Sequence, residues 1–229
     1  MSNIEYGKAR PCGYSRRSGL YSPAYTMTSI DTLAQLFMKF PGIGTRQAKR
    51  FVYFLLAQDP RFVETLAHEI AELKKAIAQC SECFRFYPRS GTGALCDVCT
   101  SDADHATLLV IEKDTDFESV RRSGSYAGRY FILGGTIPIL ERDPASKIRI
   151  RELLTRIASG TADGLSEVIL ALSANPEGDF TREYVAKTLA PLAEKHGITI
   201  TALGRGLSTG TELEYSDSDT LRHALKNRG

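Results

Sequence analysis

The 229-residue chain is 42% hydrophobic and 24% charged, with a formal net charge of +2, the balance of a soluble globular protein long enough for a packed core. No apolar run approaches the ~18 residues of a membrane-spanning helix, and the N-terminus lacks the apolar stretch of a secretory signal, so the expected address is the cytoplasm. A chain this near neutrality has no global basic field, and any grip on nucleic acid must rest on local patches.

Residues 1–26 hold Lys8, Arg10, Arg16 and Arg17 against Glu5 alone, a net of +3 that leaves 25 basic and 26 acidic residues elsewhere. Rich in Gly, Ser, Tyr and Pro without periodicity, they read as a disordered extension. Folded protein is expected from Met27. Leu33, Leu36, Phe37 and Phe40 stand at helical spacing and predict a helix over 31–40, with Thr28, Ser29 and Asp31 as capping candidates. A second helix is predicted over 45–57. A third, over 62–78, repeats apolar positions at Phe62, Leu66, Ile70, Leu73 and Ile77.

Between the first two helices runs FPGIGTRQAKR, Phe40 to Arg50. Pro41 should end one helix, Gly42 and Gly44 permit a tight turn with exposed backbone, and Thr45 is placed to cap the next. Free amides at a helix N-terminus form an anion site. Lys39, Arg46, Lys49 and Arg50 surround it, and no acid occurs from Leu33 to Gln58. The pattern is that of a helix-hairpin-helix, which holds DNA phosphates without reading bases. Lys39, Gly42, Gly44, Arg46, Lys49 and Arg50 are therefore the candidate DNA-binding residues.

Next, CSECFRFYPRSGTGALCDVC places Cys80-x2-Cys83 twelve residues ahead of Cys96-x2-Cys99. Two such pairs across a turn-rich loop containing Gly91 and Gly93 have the spacing for tetrahedral zinc in thiolate sulfur. Disulfides would need an oxidising compartment, and a redox Cys-x2-Cys needs only one pair. With four thiolates no coordination position stays open, so one structural zinc is expected and a catalytic one is not. Cys12 lies in the extension, away from this set.

From there strands and helices alternate. Strands are predicted at 108–112, 129–135, 167–173 and 198–204, with helices near 115–123, 146–158 and 180–195, which argues for βαβ units and a parallel sheet covered on both faces. The strand in EVILALSANPEGDF, Glu167 to Phe180, should deliver polar groups to a site at its carboxyl end, where open α/β sheets place their ligands. The groups delivered are Ser173 and Asn175.

Taken in order, the basic hairpin, the four cysteines and the small α/β domain resemble the RecR family of recombination mediators over about residues 29–228. FPGIGTRQAKR is similar to the family's hairpin, with Arg46 and Arg50 on its basic positions. VIEKDTD resembles the first strand of its Toprim domain, with Glu112 and Asp116 on acidic positions. SGSYAGRYFILGG and LGRGLSTGTELEYSDSDTLRHAL are similar to its second-strand and C-terminal segments. The resemblance implies an α/β protein laid out as an extension at 1–26, a helix-hairpin-helix region at 27–79, a C4-type zinc finger at 80–99, a Toprim domain at 107–205 and a C-terminal segment at 206–229. It implies a homodimer or ring-like homotetramer that binds DNA without sequence preference and has no catalytic turnover. With RecO, and in some settings RecF, it would help RecA replace single-strand-binding protein at gaps.

Toprim enzymes pair a glutamate after the first strand with an Asp-x-Asp after a later one, because Mg²⁺ takes hard oxygen ligands. Here Ser173 and Asn175 stand on that pair. Glu112, Asp116 and Glu177 are left as a partial cluster, open to three readings: a loose Mg²⁺ site, a surface for a partner such as RecO, or solvated acids. Asp114-x-Asp116 lies on the wrong connection. The alternative function, a Toprim-type Mg²⁺-dependent nuclease or primase, turns on the missing acids. His68, His105, His196 and His223 are scattered and no GxSxG occurs, so no nucleophilic triad is expected.

Overall fold

The computed structural model describes residues 27–89, 93–204, 206–207, 210 and 212–226. The extension predicted at 1–26, with Cys12, and Gly91 of the cysteine loop lie outside the described residues. The chain divides into two compact units, Met1–Glu69 and Ile70–Gly229.

In the first unit, helix α1 (Ser29–Phe37) opens on a capping box: Thr28 Oγ1 accepts the Asp31 N–H, and the Asp31 carboxylate accepts the Thr28 N–H. That pairing with Thr28 holds the Asp31 carboxyl below its ordinary range. The helix ends three residues earlier than its periodicity suggests. Pro41 disfavours helical backbone at Phe40, and the Lys39 and Phe40 amides close tighter bonds to Leu36 and Phe37 carbonyls. Helix α2 (Thr45–Leu56) starts at Thr45, and its N-cap is Gly44, so the expected threonine cap is not made. Ala34, Ala48 and Val52 form the small core between α1 and α2, with Phe37 edge-on to Phe51 at 5.6 Å.

Helix α3 (Pro60–Ala76) buries no residue. It stops before the predicted Ile77 and Ala78, which lie in strand β1 (Ile77–Gln79). The apolar spacing that reads as helix there is overridden by pairing with β2 (Phe86–Pro88), antiparallel with Ile77 opposite Pro88. The β1–β2 hairpin carries the first cysteine pair in its turn. Of the second pair, Cys96 is the N-cap of the short helix α4 (Asp97–Thr100) and Cys99 lies within it.

A four-stranded parallel sheet follows, in the order β4-β3-β5-β6: β3 (Asp104–Ile111), β4 (Gly128–Ile132), β5 (Glu167–Ala171) and β6 (Thr199–Ala202). Side chains alternate across it. Leu108, Val110, Val168 and Leu170 pack under α6 (Ile150–Gly160) and α7 (Pro176–His196). Leu109 and Ile111 pack with Phe117 of α5 (Asp114–Ser123) on the other face. Strand β4 is buried throughout although it lies at the sheet edge. A last helix, α8, covers Ser218–Lys226. The α/β class, the parallel sheet and the helical N-terminus agree with the sequence reading.

Candidate metal centre and nucleic-acid interface

The hairpin presents its cations outward. Gly42 takes a left-handed backbone (φ +77°) that disfavours any side chain. Gly44, by contrast, is extended at φ −86° and needs no glycine for its conformation. No side chain caps α2 and no acid lies in its first turn, so the positive end of the helix dipole faces solvent unshielded. Lys39, Arg46 and Arg50 are exposed around it. Arg50 is steadied by Gln47 at 3.4 Å. Lys49 sits 3.7 Å from Asp31, an acid just before the acid-free run in the sequence.

All four finger cysteines are buried free thiols. Their sulfurs lie within 4.8 Å of one another, compatible with a tetrahedron of ~2.3 Å metal–sulfur bonds. Hydrogen bonding from Cys83 draws the Cys80 thiol far down, and the same pairing, with burial, pushes Cys83 far up. Four sulfurs so placed cannot all ionise without a cation among them. A thiophilic metal fits this donor set, with Cys80, Cys83, Cys96 and Cys99 as ligands.

The finger is tied to the sheet by residues the sequence reading did not single out. Phe84 adopts a left-handed backbone (φ +62°), held by its ring against Phe131 at 5.5 Å and by the Arg149 guanidinium above it. The Cys83 carbonyl accepts the Ile132 N–H of β4 at 2.8 Å. Arg85, only 6% exposed, pairs with Asp97 and lies 4.5 Å over the Phe117 ring. Burial acts to raise the Asp97 carboxyl, but the Arg121 hydrogen bond and the charges of Arg85 and Arg121 prevail and hold it down. Arg129 of β4, 5% exposed, donates to the carbonyls of Val98 and Ser101. An arginine inside the apolar run GRYFI was the only sequence signal for these ties.

At the carboxyl ends of β3 and β5, Glu112 is 5% exposed. Its Oε1 accepts the Ser173 N–H at 2.5 Å and its Oε2 accepts the Ser173 hydroxyl at 2.9 Å. Asn175 caps α7 by accepting the Gly178 N–H at 2.7 Å. Gly178 is required there, since a Cβ would fall 2.0 Å from the Ser173 carbonyl oxygen. Asp116 accepts the Lys113 N–H at the start of α5; burial first, and Glu112 among the rest, raises its carboxyl. Glu177 is exposed in the first turn of α7. The two neutral residues on the Asp-x-Asp positions are thus both engaged, one on Glu112 and one on a helix end.

Three family descriptions match the chain: RecR helix-hairpin-helix over residues 30–74, Toprim domain over 106–204, and RecR C-terminal over 206–228. The Recombination protein RecR of Chlorobium chlorochromatii is 36% identical over 89% of this chain and 98% of its own length. The chain belongs to the RecR family. Other RecR relatives include those of Chlorobaculum tepidum, 34% identical over 89% of this chain and 98% of theirs, and Chloroflexus aurantiacus, 36% identical over 87% and 93%. Membership assigns the chain to recombination and repair, with a DNA-binding helix-hairpin-helix, a Toprim domain and a metal-binding cysteine cluster. Among the described residues no helix is long and apolar enough to cross a membrane.

Proposed function

We propose that this RecR member is a non-enzymatic recombination mediator. It grips DNA phosphates through Lys39, Gly42, Gly44, Arg46, Lys49 and Arg50, and acts with RecO, and in some settings RecF, to help RecA load at single-stranded gaps. One zinc ion per chain, held by Cys80, Cys83, Cys96 and Cys99, keeps the finger folded. The working form is a homodimer or ring-like homotetramer in the cytoplasm, with domains divided as the sequence suggests. Glu112, Asp116 and Glu177 serve a partner such as RecO: Glu177 by touching it directly, Glu112 and Asp116 by shaping the strand ends and the start of α5.

The observation that carries the DNA-binding part is the hairpin's uncapped, acid-free helix N-terminus rimmed by exposed Lys39, Arg46 and Arg50. Support for the absence of turnover comes from Glu112, whose two oxygens are taken by Ser173. Neutral Ser173 and Asn175 bring no charge to neutralise Mg²⁺, so the residues present do not fit the metal centre of phosphoryl-transferring Toprim enzymes.

The test is DNA binding by fluorescence anisotropy across a salt series. Arg46→Ala with Arg50→Ala should weaken binding to unrelated sequences alike, since phosphate contacts carry no sequence information. The salt slope should fall by ~0.7–0.9 for every phosphate that the variant no longer neutralises. An unchanged slope would place the interface elsewhere. Mg²⁺-dependent cleavage or primer synthesis by the pure protein, abolished by Glu112→Ala, would favour the enzyme reading instead.

A further inference from the structure

Arg129 is a buried cation for which no carboxylate partner is found among the described residues. Its guanidinium donates to Val98 O at 2.8 Å and to Ser101 O at 2.9 Å, and lies 2.7 Å from His105 Nε2. Because arginine only donates, that His105 nitrogen accepts. A buried charge answered only by neutral dipoles is costly, and a strand interior seldom retains one without a role. Its two carbonyl partners identify the role. Val98 lies between Cys96 and Cys99, and Ser101 is two residues beyond Cys99. Val98 also packs on both the cysteine cluster and the β3–β4 face of the sheet.

The first knuckle is attached to the same strand by a different bond, Ile132 N–H to Cys83 O. Both halves of the cysteine centre therefore hang from β4, one through a backbone amide and one through a side chain. A divalent metal held by four thiolates carries a net charge of −2, and Arg85 and Arg129, next to the two knuckles in the fold, are both buried.

We propose that Arg129 is the positioning residue of the metal centre. It fixes the Cys96–Cys99 knuckle on β4, so that the two cysteine pairs stay at metal-binding separation and the centre and the Toprim sheet behave as one unit. The proposal rests on the reading that the cysteines hold a metal. Partners that orient ligands without touching the metal commonly change metal affinity 10–100-fold.

The experiment uses the full zinc-loaded chain and follows zinc transfer to a chromophoric chelator. Arg129→Met should hold zinc about 10–100-fold more weakly than the parent and yield it to the chelator sooner, and Arg129→Lys, which keeps the charge but on a single donor atom, should fall between. A general structural role is distinguished by denaturant melts with and without zinc: Arg129→Lys should lower the midpoint more with zinc bound than without. Should Arg129→Met fail to fold, Arg129→Lys carries the test alone. Unchanged release from Arg129→Lys, or equal loss of stability in both forms, overturns the proposal while leaving the metal reading intact. A parent that purifies without metal and cannot take up zinc overturns both.

Discussion

Ser173 converts Glu112 from a free carboxylate at a strand end into one whose two oxygens are both bonded. The hydroxyl and the backbone amide of one residue chelate the buried acid, where an aspartate would repel it. Ser173→Ala should cost about 1.5–3 kcal/mol in denaturant unfolding, the scale of a hydrogen bond to a charged group. Ser173→Asp should cost more at neutral pH, because two carboxylates then compete for one partly buried place. Mg²⁺ should stabilise Ser173→Asp and leave the parent's melting temperature unchanged. A parent that gains as much from Mg²⁺ as the variant would return a metal site to this crevice. The residue types at 112, 173 and 175 were legible in the sequence; their engagement was not. Chemistry at a position is visible in one dimension, whereas Glu112 meets Ser173 across 61 residues of chain.

Elements built on local chemistry could be read directly: two Cys-x2-Cys knuckles, a Pro-Gly hairpin between apolar stripes, and four β-branched or apolar strand runs. Elements decided by partners could not. Ile77 continues the periodicity of Ile70 and Leu73, yet it leaves the helix because β2 offers it a strand to pair with. Strand β3 begins at Asp104, ahead of the predicted 108, because DHAT is polar and shows no buried face. The two hairpin glycines also look alike in sequence and differ in backbone. Gly42→Ala should destabilise the hairpin by about 1–2 kcal/mol, the cost of left-handed backbone for a residue with a Cβ, and weaken DNA binding with it. Gly44→Ser should stay within a few tenths of a kcal/mol of the parent, since both residues suit an extended N-cap. Thermal unfolding checks the pair, and equal effects at both positions would refute this assignment of roles. The finger has a corresponding test in metal content. Cys96→Ser should purify with well under one zinc per chain and unfold more readily, because a structural zinc contributes directly to folding. Cys12→Ser should retain the full complement, and equal metal in both variants would contradict the four-cysteine centre.

At the scale of the whole molecule, helix α3 stands out for its apolar side, where Phe62 meets the Phe54 ring of α2 edge-on at 6.3 Å. It buries no residue, yet Phe62, Leu66, Ile70 and Leu73 recur along it at helical spacing and are 45%, 36%, 63% and 59% exposed. Tyr53, Phe54 and Leu56 of α2 are exposed as well. Scattered apolar side chains on a surface are ordinary, but a continuous stripe on a 17-residue helix is not. Such a face contributes little to stability until a partner removes it from water, at roughly 25 cal/mol per Å² of apolar area. A second copy of the chain supplies an identical stripe, and two-fold pairing of identical surfaces is the commonest closed assembly. This is the physical support for the homodimer or ring in the proposed function, and it fits a phosphate grip that gains from repetition, since linked weak sites multiply their hold on one strand. Leu66→Glu with Leu73→Glu should leave the zinc content unchanged and shift the solution mass, measured by light scattering, toward a single chain. DNA affinity should fall at the same time although no hairpin cation has been altered. A parent already monomeric at micromolar concentration, or a double variant of unchanged mass, would mean that this stripe faces something other than its own copy.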